Sequence, residues 1–267
     1  MTSVDLSNCP TLSPLARSLA GRQWRLSLQH SRKHAVILWI TRGQGRAVLR
    51  GRETRFGPHS LIYVPANTLF SVDAGVKPLG HIIRIPDTDA TLSGLLPETE
   101  ALLRVRDLHD QADLSRMIET ASMESEIQEP LHEAAMTAHV VLIAVWMNRA
   151  LAQRPPAPPA RADARLAARF CDLVVRHYRS GRSMAQYAEI LGVTPTHLAR
   201  CCKSSAGTSA ANILTERSLY AARDLLCSTD HPFRQIAAHL GFGSPAYFTR
   251  FVHHHTGHSP TDLRRAG

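Results

Sequence analysis

Arg200 and Arg250 each stand five residues beyond a proline that can open a helix, Pro195 and Pro245. The stretches that carry them align. One runs Ala188-Glu-Ile-Leu-Gly192-Val-Thr-Pro195-Thr-His-Leu-Ala-Arg200, with Gly207 seven residues on. The other runs Ala237-Ala-His-Leu-Gly241-Phe-Gly-Ser-Pro245-Ala-Tyr-Phe-Thr-Arg250, with Gly257 seven residues on and one extra residue in the turn. In each, a small Ala lets two helices approach and a Gly with φ > 0 ends the first helix. Thr194-Pro195 and Ser244-Pro245 place a capping oxygen at the N-cap and Pro at the first helical position. With Leu198 and Phe248 as inward anchors, the helical period turns Thr196, Ala199, Arg200 and Lys203 outward on one helix. Ala246, Thr249, Arg250 and His253 face outward on the other. A guanidinium can donate two hydrogen bonds to guanine O6/N7, and an Ala or Thr methyl can touch thymine. Thr196, Ala199, Arg200, Ala246, Thr249 and Arg250 are therefore expected to contact bases. Ser183, Lys203, Ser244 and His253 are expected to contact phosphates. The chemistry is recognition of duplex DNA by a helix-turn-helix present twice.

Elements must hold these two helices apart and in register. Ser209 to Thr229 reads as one helix; about 20 residues at ~1.5 Å each make a rod of ~30 Å. Successive major grooves on one DNA face lie ~34 Å apart, so the rod suits two recognition helices in adjacent grooves. Upstream, Ser183-Met-Ala-Gln186 fits a capping box, and Leu166, Phe170, Leu173, Val174 and His177 make one face of a preceding helix. The first unit spans about 183–204 and the second about 232–254. Charge agrees: of the net +9, the residues after Gln153 hold 15 Lys+Arg against 7 Asp+Glu, which favours a polyanionic partner. The boundary at that point is Gln153-Arg-Pro-Pro-Ala-Pro-Pro-Ala-Arg161, whose prolines exclude helix and central strand and predict an extended spacer.

Before the spacer the pattern is different. Trp24 to Leu28 alternates, His34 to Ile40 is a continuous apolar run, and Arg46 to Arg50, Gly51 to Pro58, Leu61 to Pro65, Leu69 to Val72 and Gly80 to Ile85 follow at short intervals. Short strands punctuated by Gly and Pro predict an all-β sandwich or barrel. From about Asp110 the period turns helical, with Leu114, Met117 and Ile118 at i, i+3, i+4. Pro130 opens a long helix to Ala152. Its broad apolar face, Leu131, Ala134, Ala135, Ala138, Val141, Leu142, Val145 and Trp146, packs on its own barrel or on a second copy. The predicted organisation is residues 1–152, a spacer at 153–161, and 162–267.

The basic half resembles the AraC/XylS family of bacterial transcription regulators, over about Arg165 to Arg265. Carrying the resemblance are Ala188, Gly192, Leu198, Arg200, Lys203 and Gly207, then Ala221-Ala-Arg-Asp-Leu-Leu226, Ile236 to Phe242, Tyr247-Phe-Thr-Arg-Phe251, Thr256-Gly257 and Ser259-Pro260. Cys202 and Val252 depart from a usual Phe behind each recognition helix. His253-His254 replace a usual basic pair, weakening a phosphate contact at neutral pH. The resemblance implies an all-α tandem helix-turn-helix behind an N-terminal, mainly-β, cupin-like sensor barrel with trailing dimerisation helices. It also implies an effector-controlled regulator, an activator, with double-stranded DNA, RNA polymerase and a second copy of the chain as partners. An alternative is a ligand-independent regulator whose barrel only oligomerises or recruits a partner. Trp24, Trp39, Tyr63, Phe70 and His81 are the aromatic candidates for an effector pocket.

Catalytic, metal and cofactor chemistry find no support in these residues. Consecutive helical residues diverge by ~100°, so His253-His254-His255 cannot converge on one ion. Cupin metal enzymes use a His-x-His pair, a Glu and a later His; His30 and His34 are four apart, and Phe70 stands where the last His would fall. Cys201-Cys202 fall on the inward side and read as small core thiols. Five cysteines without a CxxC pair predict a reduced, cytoplasmic interior. Met1 to Asp5 shows no signal-peptide pattern, and the run Ala138 to Met147 is about half a membrane span, so no membrane partner is expected.

Overall fold

The computed structural model describes residues 9–19, 21–87, 90–127, 129–155 and 159–266. The chain begins with β1 (Thr11–Pro14), α1 (Leu15–Leu19) and α2 (Trp24–Ser27). Six strands follow: β2 (His34–Arg42), β3 (Gly45–Leu49), β4 (Arg52–Phe56), β5 (Ser60–Val64), β6 (Phe70–Asp73) and β7 (Leu79–Pro86). After α3 (Ala90–Ser93), β8 (Ala101–Arg104) completes the strands, and α4 (Leu108–Ile127) and α5 (His132–Ala152) end this half. All strand pairs are antiparallel, in one five-stranded sheet ordered β1-β7-β2-β5-β8 and one three-stranded sheet ordered β4-β3-β6.

The apolar run in β2 has a simple cause: both of its faces are buried. Val36, Leu38 and Ile40 join Ala47, Leu49, Phe56, Phe70 and Val72 in the core between the sheets. Ala35, Ile37 and Trp39 point the other way, into a second core with residues of α4 and α5. A strand covered on both sides loses its polar alternation. The half is thus layered as sheet, sheet, helices.

Two readings from sequence change. Trp24 to Ser27 is a helical turn, which buries Trp24 and Leu26, and the only bridge nearby among the described residues is His30–Phe70, beyond its end. The inward face of α5 is Met136, Val140, Ile143, Ala144 and Met147. The face read from sequence turns outward: Leu131 is 83% and Leu142 56% exposed, and Ala134 and Ala138 are exposed too. Val141, Val145 and Trp146 are half-buried at its edge. By length and composition α5 is apolar enough to cross a membrane, with mean hydropathy 1.4. It packs here beside α4 with its inner face in the second core.

The rest is helical: α6 (Ala162–His177), α7 (Met184–Ile190), α8 (Pro195–Ala206), α9 (Ala210–Ser228), α10 (Phe233–His239), α11 (Pro245–Thr256) and α12 (Pro260–Arg265). One core unites them, with Phe170, Tyr187, Leu198, Cys202, Ile213, Phe248 and Val252 among its most buried members. Residues 156–158 of the Pro-rich stretch lie outside the described residues.

The two halves touch through specific groups. In the turn between β3 and β4, Arg50 donates from Nε and Nη2 to the Asp172 carboxylate of α6 at 3.0 and 2.7 Å. Ser205 of α8 donates its hydroxyl to the Gly51 carbonyl at 2.7 Å. Gly51 has φ +77°, and a Cβ there would meet the Ala167 backbone and Cys171 Sγ at 3.0 Å, so this turn admits only glycine. On α9, Tyr220 stacks on His30 at 4.5 Å and meets the Trp24 ring edge-on at 5.4 Å. Arg25 pairs with Asp224 at 3.4 Å.

Candidate nucleic-acid interface

Both helix-turn-helix units are built as their turn chemistry requires. Ser183 accepts from the Gln186 backbone while Gln186 reaches back to the Ser183 N–H, closing the capping box at α7. Gly192 (φ 71°) ends that helix. Thr194 and Ser244 cap α8 and α11, accepting from the His197 and Tyr247 N–H groups at 3.2 Å each. Gly241 (φ 78°) has a second reason for its identity: a Cβ would come within 2.1 Å of the Arg179 carbonyl. Ala188 and Ala237 are buried. Ser209 and Thr229 cap the two ends of α9, which is one unbroken helix of 19 residues.

Leu198, Cys201 and Cys202 face the core on α8, and Phe248 and Val252 face it on α11. Cys202 and Val252 are fully buried and fill the space behind each recognition helix. Burial, and then the neighbouring Cys201, push the Cys202 thiol up to about 12. It stays protonated at neutral pH. None of the five cysteines is in a disulfide.

The outward sets lie on α8 and α11. Thr196, Arg200 and Lys203 are exposed on α8, and Ala199 is half-buried beside them. Ala246, Thr249, Arg250 and His253 are exposed on α11. Arg250 has no ion-pair or hydrogen-bond partner among the described residues. Arg200 is held differently, with Nη2 at 3.1 Å from His197 Nδ1. Lys203 donates to the Gly207 carbonyl at 2.9 Å and so caps the C-terminus of α8. The Ser183 and Ser244 hydroxyls are taken up by capping. Sequence reasoning missed His197 and Tyr247. Tyr247 is 52% exposed in the first turn of α11 and rests on Phe242 at 5.8 Å. Its signal was an aromatic one position before the buried Phe248, where the helical period turns a side chain outward.

The five aromatic effector candidates do not share one cavity. Trp39 and Tyr63 lie in the core under α4 and α5, and Phe70 lies in the core between the sheets. Trp24 sits at the junction with α9, with Arg223 over its ring at 4.6 Å. His81 stands half-buried on β7, opposite Trp39, its pKa lowered by burial. Tyr63 lines a cavity of 260 Å³ beside Asp87. Among the described residues no group of three His, Cys, Asp or Glu side chains can hold a metal ion.

Residues 187–266 match the family described as "Helix-turn-helix domain". Uncharacterized HTH-type transcriptional regulators of Staphylococcus aureus are 29% identical over 94 residues, which is 35% of this chain and 13% of those longer proteins. Among solved structures, the C-terminal domain of AraT, a response regulator from Geobacillus stearothermophilus, is 28% identical. It covers 41% of this chain and 89% of that one, with a TM-score of 0.37. ToxT from Vibrio cholerae is 14% identical over 96% of both chains, with a TM-score of 0.45. The C-terminal part of this chain thus carries a helix-turn-helix domain, behind a mainly-β N-terminal half with trailing helices.

Proposed function

We propose that the chain is a sequence-specific, DNA-binding transcription regulator that sets α8 and α11 in adjacent major grooves of one site. The observation that carries this reading is the repeated unit itself. Two helices have a hydroxyl cap (Thr194, Ser244), a buried anchor at the same position (Leu198, Phe248) and an exposed Arg at the same distance from the opening Pro. Thr196, Ala199, Arg200, Ala246, Thr249 and Arg250 are the base-reading residues. His253 reaches phosphate, and Ser183 and Ser244 offer the N-terminal ends of their helices to it. Residues 162–267 form the DNA-binding domain and 1–152 the sensing and dimerising one, joined by 153–161. In this reading the protein works in the cytoplasm as an activator that contacts RNA polymerase, and an effector acts through the cupin-like β half. The solved ToxT structures include one bound to an unsaturated fatty acid, which favours effector control. The exposed outer face of α5 supports self-association.

Selection of preferred sites from random duplex DNA tests the assignment, with the wild type, Arg200→Ala and Arg250→Ala. Each loss should cost ~1–3 kcal/mol and relax preference in its own block, the blocks lying about one DNA turn apart. Uniform weakening by both variants would reduce the two arginines to phosphate clamps and overturn the base-reading roles.

A further inference from the structure

A cavity of 410 Å³ lies where the halves meet, and its charges do not balance. From the β half come Arg32 and Lys33; from the helical half come Arg176, Arg179 and Arg217. Asp224 is the one carboxylate in the lining, and it is already paired with Arg25. Arg217 is the informative member. It is 7% exposed, its guanidinium lies 3.7 Å from the Tyr178 ring centre, and its Nε has no hydrogen-bond partner. Arg32 Nε is likewise buried and unpartnered. None of the five cationic groups forms an ion pair among the described residues. A buried charge without a counter-charge is costly, and guanidinium groups are matched to carboxylate and phosphoryl oxygens, which they can bind through two parallel hydrogen bonds.

We propose that this cavity binds a small anion carrying two or more negative charges on carboxylate or phosphoryl groups, clamped by Arg32 and Lys33 on one side and Arg176, Arg179 and Arg217 on the other. Buried Arg217 and half-buried Arg32 are the cations that lack a counter-charge; Lys33, Arg176 and Arg179 are exposed at the rim, where Arg176 donates to the Asp172 carbonyl and Arg179 to the Tyr178 hydroxyl. The volume sets the size of the ligand, since it falls in the range of small-molecule sites. The depth of Arg217 excludes the DNA backbone as its partner, because a phosphate on a duplex cannot reach a side chain this enclosed. The surrounding titrations agree with an uncompensated positive field. The pKa of His34 is pushed down to about 4, first by burial and then by Arg32 and Arg84. That of His30 is pushed well down by burial, with Arg32 and Arg217 adding to it. Because both halves supply ligands, bound anion holds them together. This deepens the effector-controlled reading above and, for its regulatory consequence only, rests on it.

The test uses the full chain, thermal denaturation and titration calorimetry, with pyrophosphate, citrate and hexanoate against sodium chloride at matched ionic strength. Pyrophosphate or citrate should bind one per chain and raise the melting temperature, and the stronger of the two identifies phosphoryl or carboxylate chemistry. Hexanoate and chloride should not. Arg217→Gln should weaken binding roughly ten- to hundredfold, the scale of one lost charge-assisted pair. If that variant fails to fold, the double variant Arg32→Gln, Lys33→Gln reads the same loss from partly exposed positions. No response beyond chloride, or equal binding by all anions that the variants leave unchanged, means an adventitious ion only and overturns the site. Uniform loss of DNA affinity in the double variant without any anion response would make the cluster a DNA-phosphate surface and also overturn it. Sequence-specific DNA binding is measured on the same samples. If it persists without an anion response, the cavity assignment fails and the regulator reading stands; an anion response without DNA binding does the reverse.

Discussion

Arg200 and Arg250, proposed to read bases, differ in what surrounds them. Arg200 is steered by His197, while Arg250 projects without a partner among the described residues. His197→Ala should therefore blur preference at the base pair read by Arg200 and leave the Arg250 block sharp, as site selection would record. Lys203 carries a structural role alongside the phosphate contact its position suggests. Lys203→Ala should destabilise the fold by about 0.3–1 kcal/mol, the worth of a cation at a helix C-terminus. Any phosphate role adds a flatter salt dependence of DNA binding, equal across sequences. Buried histidines give a second residue-scale expectation. His30 and His34 titrate below their unfolded value, so the native state binds fewer protons than the unfolded chain as pH falls. Their neutral burial leaves stability intact above about pH 6.5, and stability is lost as pH drops towards 4. Melting temperatures across that window should show the fall, and His34→Gln should flatten it.

Among the elements, α8 and α11 owe their starts to Thr194 and Ser244, and Thr194→Ala or Ser244→Ala should each cost ~1 kcal/mol by chemical denaturation. These starts were legible because capping is local: the N-cap oxygen, the Pro and the terminal Gly lie within one short stretch. Trp24 to Leu28 was misread because alternation over five residues fits one strand face or a single helical turn equally well. The inner face of α5 was misread for another reason. The helix is apolar nearly all round, so periodicity names two faces and only the sheet beneath chooses Met136, Val140 and Ile143. The contact of Arg50 with Asp172 between the halves was invisible to local reasoning. Arg50 and Asp172 are 122 residues apart, and neither carries a motif. Their pair is partly solvent-exposed, so Arg50→Gln should lower stability by no more than about 1 kcal/mol. Gly51→Ala should do more, since it meets both a left-handed φ and the α6 backbone.

For the molecule as a whole, the helical half should bind duplex DNA with steep salt dependence. With ~6 phosphates engaged, affinity falls ~10³-fold between ~50 and ~200 mM salt. Self-association is expected through the outer face of α5. Leu142→Glu should give a soluble, folded monomer by light scattering, because Leu142 lies on the surface. Ile143→Glu, one residue on, should unfold the β half instead, since it drives a charge into the core.

The Gly51 turn has a mechanical meaning. It grips Ser205, in the last turn of α8, and every contact named between the halves falls on α6, α8 or α9. None reaches α11. The β half therefore braces α8 directly and α11 only through the shared helical core. Operators with one base pair added between their two blocks should bind less tightly. Loosening the brace with Arg50→Gln should shrink that penalty without changing which bases are preferred.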